Sequence, residues 1–350
     1  MGRDFIVLSA SSRDIAAIAV RRERSGDYYP EGFCRTVLRG FRSGAVVDAG
    51  MATDSIAGVL NKLRKSTGKR FRDVYTCVNS DSISVVPSSG TLLLSRYGRN
   101  ITANDVNKCV KIASIVKTGL VKEPLHHVVK GFSIDGDDEI MNPLGLEGVK
   151  LEARVNVITI NASTLSNLSG CIVRAGFIPA GFVFSGLASA YRVLTESEMQ
   201  EGIGLLEIGS DMTEVSVFSR GMLNNCRAFT FGTSGFQTET GDVDSAVLEK
   251  MTAEVELFPA WKKARSIVVI GEGSTVDGLI ESLERIFSLP AKAGNCIVKP
   301  HENLPPERAG YIGNLGILDH LRQEDLKRRP GGNIAQRGLA KALDFVDRYF

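Results

Sequence analysis

The stretch Asn142-Pro-Leu-Gly-Leu-Glu-Gly-Val-Lys-Leu-Glu-Ala-Arg154, followed at once by Val155-Asn-Val-Ile-Thr-Ile160, is the most informative in the chain. Its second part, Leu151 to Ile160, reads as a strand, entered from a loop punctuated by Pro143, Gly145 and Gly148. Working outward, His127-Val-Val129 and Phe132-Ser-Ile134 are two further apolar strands. Before them, Thr102-Ala-Asn-Asp105 caps a helix carrying Val106, Val110, Ile112, Ala113 and Val116. Ile83 to Pro87 and Thr91 to Leu94 read as two short strands. The block from about residue 80 to 160 is therefore a small α+β module, set into something larger.

The flanks have a different texture. Phe5 to Leu8 is a continuous apolar run, followed by the polar turn Ser9-Ala-Ser-Ser12 and a second run from Ile15 to Val20. Ile56, Val59, Leu60 and Leu63 recur at helical spacing between Asp54 and Lys65, and Asp73 to Val78 is another buried strand. Thr164 to Ala175 is helical with Gly176 as its C-cap, Phe182 to Phe184 a short strand, and Gly186 to Val193 a helix. Then the opening recurs: Ile203 to Ile208, the turn Gly209-Ser-Asp-Met-Thr213, and Glu214 to Phe218. Asp242 to Leu257 is a helix, Ser266 to Ile270 a strand, and Leu279 to Phe287 a helix after the turn Gly271-Glu-Gly-Ser274. Two halves with matching openings make a duplicated α/β fold, and a cleft between such halves is a natural ligand site.

Composition narrows the class. The chain has 350 residues, with 42 Lys plus Arg against 40 Asp plus Glu, a net charge of +2, and 43% hydrophobic residues. These values fit a folded protein of about two domains and exclude disordered, collagen-like and disulfide-dense chains. The balanced charge gives no grip for nucleic acid. No apolar run approaches the roughly 20 residues that cross a bilayer. The six cysteines form no CxxC pair and the four histidines no metal-ligand spacing, so neither a disulfide framework nor a metal site is expected. Phe5 to Leu8 is too short for a signal peptide, and Ile6 does not fit a myristoylation motif, so a cytoplasmic chain is expected.

The 142–154 block and the later Phe184-Ser-Gly-Leu-Ala-Ser-Ala-Tyr-Arg-Val-Leu194 resemble FtsA, the actin-like bacterial division protein, through its P-x-G-x-x-G-x-x-L-E-A and A-G-L-A-S-A signatures. Gly40 to Val47 is similar to that family's early hairpin, and Pro305 to Gly316 to its late helix with an A-x-x-G-L core. The resemblance implies an actin-like (ribonuclease H-like, duplicated) fold with an inserted subdomain 1C. On that frame residues 1–79 and 160–178 form subdomain 1A, 80–159 form 1C and 179–320 form 2A. Only about thirty residues separate Gly235 from Ser266, so subdomain 2B is reduced to about one helix. In the family that subdomain docks the FtsZ tail, and weak or absent binding of that tail is expected here.

Actin-like ATPases wrap nucleotide phosphates with two hairpins and a glycine-rich adenosine turn. By resemblance the candidate nucleotide contacts are Ser11, Ser12, Glu207, Gly209, Ser210, Thr213, Gly271, Gly273 and Ser274. The motifs are eroded. The first hairpin has lost its acid, glycine and lysine, and the second keeps one of three glycines and gains Asp211. One glycine of the adenosine turn has become Glu272. No catalytic residue and no metal ligand is assigned. No cofactor is certain on these residues, and ATP with magnesium is the one the family implies.

Residues 321–333, closed by Pro330-Gly-Gly332, read as a linker. Residues 334–350 then form an amphipathic helix like the membrane-targeting helix that ends FtsA chains, with Leu339, Leu343, Val346, Tyr349 and Phe350 facing the membrane. The expected function is a non-enzymatic scaffold, cytoplasmic and peripheral on the inner face of the cell membrane. Its expected partners are other copies of itself and division or envelope membrane proteins. The alternatives are an actin-like ATPase whose nucleotide controls assembly, and a PilM-like component of a pilus or secretion platform. The P-x-G-x-x-G-x-x-L-E-A block argues against the last.

Overall fold

The computed structural model describes residues 4–11, 13–23, 27–116, 121–238, 242–299 and 302–328. The chain divides into two compact units, one formed by Met1–Ile83 with Ser163–His320 and the other built on Ser84–Ala162. The first opens with β1 (Phe5–Ala10), β2 (Asp14–Arg22) and β3 (Tyr28–Val37), a meander whose middle strand buries Ile15 to Val20. A two-residue hairpin, β4 (Phe41–Arg42) with β5 (Ala45–Val46), leads to α1 (Ala49–Thr67). Asp48 caps α1 by accepting from the Met51 amide, and Ala52, Ile56, Val59, Leu60 and Leu63 form its buried stripe. Gly68 ends it at φ +66°, a left-handed conformation that suits glycine, and β6 (Asp73–Val78) follows.

The inserted unit is a sheet with one helix on it. Its strands are β7 (Ser84–Leu93), β9 (Lys122–Ile134), β10 (Asp137–Ile140) and β12 (Lys150–Asn161), in the order β10-β9-β12-β7. The small pair β8 (Arg99–Asn100) and β11 (Glu147–Gly148) lies between them in sequence. The helix α2 (Ala103–Ser114) starts on a capping box, Thr102 with Asp105. Arg99 grips Asp105 with two bonds of 2.7 Å, and together with the Thr102 hydrogen bonds it holds that carboxyl far below the usual range. The two strands expected across 83–94 are one. Gly90 is not a turn residue; a Cβ there would lie 2.2 Å from the Ala113 amide nitrogen, so the glycine lets α2 lie on the strand. The two strands expected at 127–134 are likewise one, with register shifts in its pairing to β12.

The chain returns through α3 (Ala162–Arg174), β13 (Ile178–Phe184) and α4 (Ser185–Val193). The first sheet closes in the order β13-β6-β1-β2-β3, with β1-β6 and β6-β13 parallel. After the short, capping-box helix α5 (Glu196–Glu201) come β14 (Ile203–Ile208), β15 (Thr213–Ser219) and β16 (Met222–Phe229). Then follow α6 (Thr233–Phe236), α7 (Ser245–Glu256), β17 (Ser266–Gly271), α8 (Leu279–Phe287) and β18 (Ala291–Ala293). These strands run in the order β16-β15-β14-β17-β18, with the two meander pairs antiparallel and the other two parallel. That is the arrangement of the first sheet repeated, so the duplication is real. Between Gly235 and Ser266 the described residues hold α7 and a 3-10 turn, Pro259–Lys263, whose Trp261 packs on Gly204 and on Phe287 at 4.7 Å.

The last helix, α9 (Ile312–Arg328), follows a 3-10 turn at Arg308–Tyr311. It runs through positions 321–328, where a linker was expected; Leu321 to Arg328 holds neither Pro nor Gly, so nothing stops the helix before Pro330. Positions 334–350, with Leu339, Leu343, Val346, Tyr349 and Phe350, lie outside the described residues. Asn314 of α9 is fully buried and bonds three groups of the first sheet: it accepts from Ser9 Oγ (2.6 Å) and donates to the Val7 and Ala16 carbonyls (3.1 and 3.2 Å). Gly316 packs so tightly on α4 that a Cβ would sit 1.9 Å from the Ala188 carbonyl oxygen. Arg192 of α4, wholly buried, pairs with Glu302 (2.7 Å) and with Asp319 of α9 (2.8 Å), and Lys299 joins Asp319 at 2.6 Å. Among the described residues no helix is long and apolar enough to cross a membrane.

Arg192→Ala removes the buried cation that pairs with both Glu302 and Asp319. It is expected to lower the free energy of unfolding in a urea titration by about 3–5 kcal/mol. A loss below about 1 kcal/mol, the range of exposed ion pairs, would show that other contacts hold α9.

Candidate functional site

Three turns converge in the first unit: the β1–β2 turn, the β14–β15 turn, and the turn after β17. The first is self-contained. The Ser11 amide donates to the Asp14 carbonyl (2.8 Å), and the Ser11 hydroxyl accepts from the Asp14 amide (3.1 Å). Asp14 pairs with Arg35 at 2.5 Å. Ser12 lies outside the described residues.

The second turn is also spent internally. The Gly209 amide donates to the Met212 carbonyl (2.9 Å), while the Gly209 and Ser210 carbonyls accept from the Thr233 and Ser234 amides (both 2.9 Å). Thr213 Oγ1 donates to the Phe231 carbonyl at 2.8 Å. Asp211 accepts from the Ser43 amide of the β4–β5 hairpin (3.4 Å) through one oxygen, and its other oxygen is buried without a partner among the described residues.

The third turn explains its own glycines. Gly271 has φ +79°, and a Cβ there would meet the Ile208 carbonyl at 2.7 Å; a Cβ on Gly273 would meet Ile208 Cβ at 2.6 Å. The turn is thus glycine-rich because it presses on β14. Ser274 Oγ donates back to the Gly271 carbonyl (2.7 Å). Glu272 faces Arg13 at 3.9 Å and accepts from Thr233 Oγ1 at 3.5 Å. Burial raises its pKa, against the pull of Arg13.

Beneath these turns lies an acid pair. Glu207 and Glu214 are direct register partners on β14 and β15. Ser185 Oγ donates to Glu207 (2.6 Å) and Ser216 Oγ to Glu214 (3.2 Å). Burial raises Glu207, and burial together with the Glu207 charge pushes Glu214 well above its ordinary range, since two neighbouring buried carboxylates resist ionising together. Cys77 and Cys226 beside them are pushed up by burial, so both are neutral thiols rather than nucleophiles. Of the expected residues, Glu207, Gly209, Ser210, Thr213, Gly271, Gly273 and Ser274 come together, with Ser11 on the facing hairpin. Asp211, Glu214, Glu272, Ser185 and Thr233 complete the cluster; only the tertiary contacts of α4 and α6 reveal Ser185 and Thr233.

Magnesium with a triphosphate needs inward-facing amides and ionised acids. Here the Gly209 amide closes its own turn, Asp211 and Glu272 bring carboxylates to where phosphate would lie, and the acid pair favours a retained proton. The residues present do not fit the group. Among the described residues no cluster of three His, Cys, Asp or Glu could hold a metal ion.

The twin sheets, their crossed meanders and the inserted unit define the class: this is an actin-like ATPase fold carrying an SHS2-type insertion. Residues 81–159 match the family model of the SHS2 domain inserted in FTSA. Within that class the chain is FtsA-like. Cell division protein FtsA of Borreliella burgdorferi is 26% identical over 222 residues, covering 63% of this chain and 54% of the relative. The FtsA of Pseudomonas aeruginosa is 25% identical over 224 residues, covering 64% and 53%. The chain spans about half the length of these curated relatives. Among solved structures, the PilM–PilN type IV pilus biogenesis complex superposes with a TM-score of 0.62 at 14% identity, covering 91% of this chain and 98% of the other. At that identity the likeness concerns the fold alone.

The raised Glu214 pKa has a testable sign. A carboxyl whose folded pKa lies above its unfolded value contributes stability below the unfolded value, and loses it as pH rises through the folded one. Glu214→Gln is neutral throughout. Its melting temperature should match the parent near the ordinary value of 4.5 and exceed it increasingly toward about pH 8. A gap that stays constant with pH would place the cost elsewhere.

Proposed function

We propose that this chain is a non-enzymatic, FtsA-like scaffold that holds division or envelope proteins at the inner face of the cell membrane and associates with copies of itself. The observation that carries this reading is the cleft chemistry: Glu272 meets Arg13, and Asp211 meets the Ser43 amide, where a working ATPase would meet phosphate. The two halves are joined by α9 through Asn314 and Arg192, which needs no nucleotide. The FtsA relatives support a division role, and the sequence matches favour FtsA over a PilM-like platform.

ATP with magnesium at about 1 mM is expected to leave the melting temperature unchanged; a Kd near 10 μM would add about 2.7 kcal/mol of stability. The second reading, an ATPase whose nucleotide controls assembly, is favoured by the retained acid pair Glu207–Glu214. A clear ATP-dependent shift with turnover would replace the first reading by the second.

The membrane part of the proposal rests on the amphipathic sequence 334–350 and is tested apart. The full chain should float with anionic liposomes, and a chain truncated at Pro330 should not. Equal flotation would remove the anchor. With so short an interval between Gly235 and Ser266, an FtsZ tail is not among the proposed partners.

A further inference from the structure

The charge balance of the whole chain hides one local excess. Arg64-Lys65-Ser-Thr-Gly68-Lys69-Arg70-Phe71-Arg72-Asp73 carries five cations in ten positions. The fold makes a hollow of them. Gly68 ends α1, and the chain turns back to begin β6. Phe71, 1% exposed, pins that return and leaves Arg70 and Arg72 on either side of it exposed. The resulting cavity, of about 810 Å³, is lined by Arg64, Lys65, Lys69, Arg70, Phe71 and Arg72, with Asp4, Gly68 and Asp73.

Two of the five cations are already employed. Arg64 donates to the Phe71 carbonyl and stacks 3.8 Å over the Phe177 ring. Lys69 bridges Asp4 (3.2 Å) and Glu31. Lys65, Arg70 and Arg72 are exposed and carry no ion pair among the described residues. The helix dipole accounts for Arg64 and Lys65, which lie in the last turn of α1. It does not reach Arg70 and Arg72, which lie beyond the cap. Arg70 in fact opposes its neighbour: burial, and then the Arg70 charge, hold Arg64 below the ordinary arginine range. A cluster that repels itself, three of whose members carry no ion pair among the described residues, is suited to an anion from outside.

We propose that this hollow docks an acidic segment of a partner protein, a run of Asp or Glu side chains gripped by Lys65, Arg70 and Arg72. Guanidinium forks match carboxylates bidentately. The shape favours a peptide over a bilayer: the cations surround a concave space, whereas a lipid surface meets a flat one. This proposal is independent of what the cleft binds.

The test uses the full chain and a fluorescein-labelled oligoglutamate peptide, read by fluorescence anisotropy at low salt. Saturable binding is expected, weakened by added salt. Arg70→Glu with Arg72→Glu should weaken it by at least about tenfold, as expected for lost charge-assisted bonds. Arg70→Gln with Arg72→Gln should weaken it less. The exposed pair Lys250→Glu and Lys262→Glu, elsewhere in the same unit, should leave it within about twofold. Both Arg70 and Arg72 are exposed, so the melting temperature should stay near the parent's. The proposal is overturned if the peptide does not bind, if the Lys250/Lys262 pair weakens binding as much, or if inorganic phosphate displaces the peptide at equal concentration. It is overturned equally if the Arg70/Arg72 reversal spares the peptide and instead abolishes flotation with anionic vesicles.

Discussion

The side-chain amide of Asn314 is the point on which the two-half arrangement depends. It sits fully buried, more than 290 residues from the strands it binds, and satisfies Ser9, Val7 and Ala16 at once. Two residues later Gly316 admits the Ala188 carbonyl, and further along Asp319 meets Arg192. So α9 is stitched to the first sheet at one end and to α4 at the other. A buried polar group is costly unless fully paired, which makes such a junction specific: no other register of α9 would satisfy Asn314 and Arg192 together.

This brace alters how the cleft is understood. In a nucleotide-gated protein the ligand joins the facing turns. Here the turns are occupied with their own bonds, and the contacts across the gap are the Arg13 side chain with Glu272 and the Ser43 amide donating to Asp211. The individual contacts are long and partly solvated, so each contributes little. Cohesion comes instead from α9 and from apolar packing. The glycines that survive in the third turn are retained for a reason that needs no ligand: Ile208 lies where their Cβ atoms would be.

Much of the fold was legible in the sequence because it rests on local pattern. Continuous apolar runs marked β1, β2, β6, β14 and β17, and helical spacing marked α1, α2, α3 and α8. Misreadings cluster where a local signal has a distant cause. Ser88-Ser89-Gly90 has the composition of a turn, yet the strand continues, because Gly90 answers to Ala113 of α2. The break expected after Leu321 was set by charge and by Pro330, although the residues in between are helix formers. Of the candidate site, the three turns could be placed by resemblance, while Ser185 and Thr233 could not, since they reach the site from other elements.

By itself the sequence determined the duplicated α/β pattern and the inserted α+β module, because periodicity and turn chemistry are local properties. Only the tertiary structure decided what those residues do. Glu207 and Glu214 become a coupled acid pair because β14 and β15 bring them opposite one another in a buried place, where two charges repel strongly. Arg192 finds Glu302 and Asp319 more than a hundred residues away, and five ordinary basic residues become a hollow when Gly68 turns α1 back into β6. Such pairings depend on which elements meet in space, and the local sequence pattern does not encode them.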